Sequence, residues 1–145
     1  MKKILAVLIL SLVMSVPAWA EVRVGMVFDA GGKNDRSFNQ SAFEGAIKAR
    51  DELGIYLKDV EPGDSSAVEE AMRAFASEGY DLIFGIGFAN ATAVKNVATE
   101  YPKVKFAIVD AVVDLPNASS LLFKEHEASY PVGMIAGMRS RDVNG

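Results

Sequence analysis

Residues 22–60 read VRVGMVFDAGGKNDRSFNQSAFEGAIKARDELGIYLKDV, and the change of period inside this stretch decides the fold. Val22–Phe28 is β-branched or apolar at nearly every position, the pattern of a strand buried on both faces rather than one with a wet side. After the polar loop Asp29–Arg36, the S-x-x-Q capping box Ser37–Gln40 opens a helix. Its apolar positions Ala42, Phe43, Ala46, Ile47 and Leu53 recur at helical spacing, and Gly54 closes it. Ile55–Val60 is a second short strand. Two strands joined by one amphipathic helix pair in parallel through a right-handed crossover.

The same alternation continues toward the C-terminus. The turn Glu61–Asp64 leads to a second capping box, Ser66–Glu69, with Val68, Ala71, Met72, Phe75 and Ala76 on one helical face. Asp81–Gly87 reads as a third strand. The helix after it carries Val94, Val97, Ala98 and Tyr101 and stops at Pro102. Val104–Val109 is a fourth strand ending in Asp110, Ser120–Phe123 a fifth, and a helical stretch runs from about Ala128 to Met138. In that last stretch Gly133 and Gly137 lie four apart, which lets a helix approach a neighbour closely. The expected architecture is α/β, a doubly wound, mostly parallel sheet with helices on both faces.

The N-terminus reads as an address. Met1-Lys2-Lys3 is a basic n-region, Ile4–Val16 an apolar run, and Ala18-Trp19-Ala20 places small residues at a signal-peptidase site. The run is shorter than the about 20 residues a membrane span needs. The expectation is a signal peptide, residues 1–20, cleaved after Ala20, and an exported lobe, residues 21–145. In a cell with an outer membrane that compartment is the periplasm.

Composition narrows the function. With 145 residues, 50% hydrophobic and 23% charged, the chain suits one globular domain. Its net charge is −4, and loss of Lys2 and Lys3 with the leader makes it more negative, which argues against nucleic acid as a partner. No cysteine means no thiol nucleophile and no Cys-based zinc site. The single histidine, His126, excludes a multi-His metal site and a His-based triad within one chain. No function is assigned to His126, and no cofactor or metal is implied.

In doubly wound sheets, ligands bind beyond the carboxyl ends of the strands. That rule selects Asp29–Asn39, Gly85–Asn90 and Asp110–Asp114 as the lining of one crevice. Asp29 and Asp110 are carboxylates that match the hydroxyls of a vicinal diol, or acidic caps of the following turn. As an acid/base pair they lack any accompanying nucleophile or metal-ligand set. Gly31-Gly32, with Lys33 and Arg36, offers a phosphate cradle or a turn needing positive φ. Neither a P-loop nor a G-x-G-x-x-G fingerprint is present. Phe38 and Phe88 are candidates to stack on a flat ligand, or a hydrophobic staple and a core residue respectively. Asn39, beside Phe38, carries an amide that can read a heterocycle's edges.

The string Asp29-Ala30-Gly31-Gly32-Lys33-Asn34-Asp35-Arg36-Ser37-Phe38-Asn39-Gln40-Ser41-Ala42-Phe43-Glu44-Gly45 resembles the opening signature of the basic membrane protein family of substrate-binding proteins, which includes purine nucleoside receptors of ABC transporters. Asp81–Phe88, Phe106–Asp110 and Glu127–Gly137 resemble later blocks of that family. The resemblance implies the first lobe of a type I periplasmic-binding fold, in which two lobes close on a nucleoside. It implies that the first lobe supplies to the ligand the aromatic ring and the amide of the D-[KR]-S-F motif, here Phe38 and Asn39, with Ser37 beside them in the site. By the same resemblance Asp110 holds ribose hydroxyls, and Asp29, Gly87 and Phe88 assist. The implied partners are a small-molecule ligand, nucleoside or sugar, and an ABC permease in the inner membrane. Association with the plasma membrane would then come through the transporter. Family members are commonly lipoproteins anchored through a cysteine, a residue this chain lacks. The chain reaches Gly145 where the family enters its second lobe, so the expectation is a truncated, non-enzymatic receptor with one wall of its site. The alternatives are a pentose or autoinducer-like sugar receptor of the same fold, and a periplasmic nucleoside-acting enzyme using Asp29 or Asp110 as base.

Overall fold

A computed structural model of the chain describes residues 21–140. The expected leader, residues 1–20, and the chain end, 141–145, lie outside the described residues. The elements are β1 (Arg23–Val27), α1 (Phe38–Leu53), β2 (Tyr56–Val60), α2 (Ser65–Ser77), β3 (Leu82–Ile86), a 3₁₀ turn (Phe88–Asn90), α3 (Ala91–Glu100), β4 (Lys105–Val109), β5 (Ala118–Leu121) and α4 (Glu125–Arg139). The strands form a single sheet in the order β2-β1-β3-β4-β5. Every pair is parallel, with Val24 against Leu57 and Leu82, and Ile86 against Val109. The α/β architecture read from the alternation of periods is therefore present.

The two faces of the sheet are covered unequally. On one, Val27, Ile83, Phe106 and Ile108 meet Met72 and Phe75 of α2 and Val94 and Val97 of α3, all nearly inaccessible to water. Burying such side chains stabilises the fold by roughly 1.5–3 kcal/mol each. On the other face, Met26, Phe28, Ile86 and Val109 meet Phe38, Ala42, Phe43 and Ala46 of α1, beside Leu57 and Phe84 of the sheet. An apolar groove of about 970 Å³ stays open there, between α1 and Met26, Phe84, Ile86, Val109 and Leu121. The last helix, α4, does not fill it. None of its residues is buried, and Tyr130, Val132, Met134, Ile135 and Met138 are exposed.

Several local expectations are corrected. Ser37 does occupy the position before α1, but its side chain makes no capping bond. Asp35 does that work instead, accepting from the backbone N–H groups of Ser37 (2.8 Å), Asn39 (3.0 Å) and Gln40 (3.1 Å). A carboxylate two residues upstream reaches more orphan donors than a hydroxyl. Likewise α2 is capped by Asp64, which accepts from the N–H groups of Ser66 and Ala67, both at 2.9 Å, so Ser66 lies inside the helix. The fifth strand begins two residues earlier than expected. Its register is pinned by the N–H of Phe106 donating to the carbonyl of Asn117 (2.8 Å) and that of Asp110 to Leu121 (2.8 Å), leaving Leu122 and Phe123 outside the ladder and exposed. The last helix starts at Glu125 and contains Pro131, which removes one N–H from its ladder.

Candidate functional site

β1, β3 and β4 are neighbours in the sheet, so the loops that follow them leave the same edge side by side. Buried Asn90 ties two of these ends together. Its amide nitrogen donates to the carbonyls of Val27 (3.2 Å) and Ile86 (3.0 Å). The third end joins through the N–H of Gly87, which donates to Val109 (3.2 Å). The arrangement follows from the sequence because each strand spends its polar backbone in the ladder and ends where that ladder runs out.

Asp29, two residues past β1, lies at this edge. Its Oδ1 accepts from the N–H of Gly31 (2.9 Å) and from Nδ2 of Asn39 (2.7 Å). Its Oδ2 abuts Gly87, where a Cβ would lie only 2.8 Å away. With φ at +93°, Gly87 also has a backbone that other residues rarely adopt. Both of the hydrogen bonds that the Asp29 carboxylate receives from described residues thus fall on one oxygen, and the other faces the end of β3.

Asn39 is 2% exposed, and its Oδ1 is buried without a hydrogen-bond partner among the described residues. Its amide orients Asp29 rather than standing on the surface. Phe38 is half-buried, packs against the cluster of Met26 and Phe28, and lines the groove together with Ser37, Ile86 and Val109. Phe88 differs: just beyond Gly87, at the start of the 3₁₀ turn, it is 72% exposed. Asp110 is part-exposed at the end of β4, in the left-handed region with φ at +66°. A non-glycine residue there stores about 1–3 kcal/mol of strain, a feature that gathers at ligand clamps.

The structure therefore brings Asp29, Asn39 and Gly87 into contact, and sets Asp110 on the strand beside Gly87. Ser37 and Phe38 lie on the groove side of the edge, and Phe88 is the exposed ring.

The phosphate reading of Gly31-Gly32 does not survive. The N–H of Gly31 goes to Asp29, that of Gly32 to the Asp29 carbonyl (3.2 Å), and that of Lys33 to Glu61 (2.9 Å). The Lys33 ammonium is bound to Asp59 at 2.5 Å. Asp35 is the residue that sequence reasoning missed. The signal was a carboxylate two residues before the expected helix start at Ser37, a spacing that fits an Asx turn. Backbone N–H donation, that of Asn39 foremost, holds its carboxyl below the usual aspartate range. Among the described residues no cluster of three or more potential metal ligands occurs, and no helix is long and apolar enough to cross a membrane.

Relatives share both the sequence and the fold. A CD4+ T-cell-stimulating antigen of Listeria monocytogenes is 41% identical over 128 residues, covering 81% of this chain and 35% of its own. An ABC transporter nucleoside-binding protein, BmpA, of Lactococcus lactis is 34% identical over 126 residues, covering 83% and 36%. A solved ABC transporter solute-binding protein from Aeropyrum pernix superposes with a TM-score of 0.74 at 37% identity, over 79% of this chain and 32% of that one. The chain spans about a third of the length of the curated relatives it matches. The family of ABC transporter substrate-binding proteins described as PnrA-like matches residues 22–144, and the chain belongs to that family.

Proposed function

We propose that residues 21–145 form one lobe of the substrate receptor of an ABC importer, exported by cleavage after Ala20, and that its ligand is a purine nucleoside. The observation that carries this reading is the pairing at the sheet edge of an oriented carboxylate with an exposed aromatic ring. Asp29 is held through Oδ1 with Oδ2 against Gly87, and Phe88 follows directly. A carboxylate suits ribose hydroxyls, and a ring suits the flat base, a stack of about 1–3 kcal/mol. Asp110 supplies a second acceptor, while Ser37, Phe38, Asn39 and Gly87 shape the wall. The name of the Lactococcus lactis relative supports the nucleoside class.

The open groove beneath α1 and the exposed α4 support a second lobe of a longer receptor as the opposite wall. One wall leaves a ligand largely uncovered, so this chain alone binds weakly. Calorimetric titration with inosine, adenosine and guanosine tests the reading, on this chain and on a version extended by the following reading frame. Tight binding by the extended form and weak binding by the short one is expected. Submicromolar binding by the short form overturns the one-wall account. Free ribose competing as well as inosine moves the assignment to a sugar receptor. Conversion of the nucleoside to products moves it to an enzyme.

A further inference from the structure

Lys33 and Arg36 are the basic residues of the loop that the ligand reading leaves without a task, and Lys33 has the closer set of partners. It sits between the two glycines and Asp35, and its side chain reaches the carboxyl end of β2, on the side of β1 opposite β3. Its ammonium meets Asp59 of β2 at 2.5 Å and Glu61 at 3.7 Å, and lies 4.9 Å from the centre of the Phe43 ring on α1. The pair with Asp59 is part-buried, with side chains 28% and 21% exposed, so it is less screened than the ion pairs on the helix surfaces. Glu61 grips the same stretch a second time by accepting the N–H of residue 33 at 2.9 Å. The fit is close: a Cβ on Gly32, whose φ is +68°, would lie 2.7 Å from Glu61 Oε2. Phe43 in turn packs edge-on against Phe28, the last apolar residue before Asp29.

We propose that Lys33 is the positioning residue of the ligand loop. Its grip on Asp59, Glu61 and Phe43 sets the turn from Asp29 to Ser37 in the shape in which Asp29 faces Gly87, so Lys33 governs ligand affinity without touching the ligand. Hydrogen bonding to Asp59 holds the ammonium above its ordinary pKa against the opposing effect of burial, so the grip persists through neutral pH. The chemistry is that of a pre-organised loop. If only a fraction of molecules has the loop in place, the apparent affinity falls by that fraction.

This inference rests on the nucleoside reading, and its test separates the two. Amide exchange at residues 31–33 is followed by NMR in the wild-type chain and in Lys33→Met, Lys33→Arg and, as a control on the exposed face of α1, Lys48→Met. The same substitutions are titrated with inosine in the version extended by the following reading frame, which is expected to bind tightly. Lys33→Met is expected to speed exchange at 31–33 and weaken inosine by about tenfold, with the capping amides of Ser66 and Ala67 unchanged. Lys33→Arg is expected to restore both in part, and Lys48→Met to change neither. Unchanged exchange at 31–33 in Lys33→Met, equal acceleration at Ser66 and Ala67, or altered exchange with unaltered affinity overturns the proposal. An extended wild-type chain that takes up no nucleoside sinks the receptor reading and the ligand half of this one, while the exchange pattern still decides whether Lys33 holds the loop.

Discussion

Asn39 Nδ2 lies 2.7 Å from Asp29 Oδ1, so the first turn of α1 fixes the carboxylate that follows β1. The bond spans ten residues of sequence and joins two elements that also meet through apolar packing. It also explains a buried polar residue at the helix start, since a buried amide must be paired and here one side of it is.

Asn39→Leu leaves Asp29 without its side-chain donor and removes a buried amide whose Oδ1 already lacks a partner. The two effects oppose one another in stability, since an orphaned buried acceptor costs about 1–3 kcal/mol. The orientation of Asp29 has no such compensation. The expected outcome is a denaturation midpoint shifted little in either direction and a clear loss of nucleoside affinity. A large fall in stability with affinity retained would reverse the roles given to the two oxygens.

Gly87→Ala forces a methyl to within 2.8 Å of Asp29 Oδ2 at a backbone φ of +93°. Strain of about 1–3 kcal/mol is expected, read as a lower denaturant midpoint at unchanged slope. Gly137→Ala is the contrast: nothing lies within 4 Å of the added carbon, and a helical alanine is favoured over glycine by about 1 kcal/mol.

Phe38 and Phe88 separate by burial. Phe88→Ala, at a ring 72% exposed, is expected to leave stability within about 0.5 kcal/mol and to weaken nucleoside by the worth of a stack, about 1–3 kcal/mol. Phe38→Ala removes a ring packed on Met26 and Phe28 and is expected to lower the thermal midpoint. Inosine and ribose titrations of both variants check this. Equal losses for the two ligands in Phe88→Ala would count against stacking.

Asp35 gives a pH dependence with a definite sign. Its carboxyl is held below the ordinary value of 3.8, first by the N–H of Asn39 and then by those of Gln40 and Ser37. A lowered folded-state pKa means the carboxylate stabilises fully above the unfolded value and loses its effect as pH falls through the folded one. Exchange of the Ser37, Asn39 and Gln40 amides should therefore accelerate beyond the intrinsic pH trend in acid below about pH 4. In Asp35→Ala it should be fast at every pH. Acid acceleration that persists in the variant would point to another group.

The partly covered sheet face predicts dye binding. The groove between α1 and the sheet is open and apolar, and Leu122, Phe123, Tyr130, Ile135 and Met138 are exposed as well, so this chain should enhance the fluorescence of an anilinonaphthalene dye while fully folded. The extended version should not. A short chain that leaves the dye dark would show the groove to be closed in solution.

The sequence alone determined the alternation of strands and helices, and with it the sheet, because a period near two or near 3.6 is imposed by the backbone's own hydrogen bonds and by which residues leave water. It placed Asp29, Gly87 and Asp110 at strand ends for the same reason, and the parallel order then set those ends side by side. Only the tertiary structure decided where the polar side chains point. Asp35 displaced Ser37 as the cap, Asn39 turned inward to Asp29, and Lys33 reached to Asp59, 26 residues on. Short-range spacing cannot rank these choices. Each polar group goes to whichever partner offsets its loss of water, and those partners come from elements far apart in the chain.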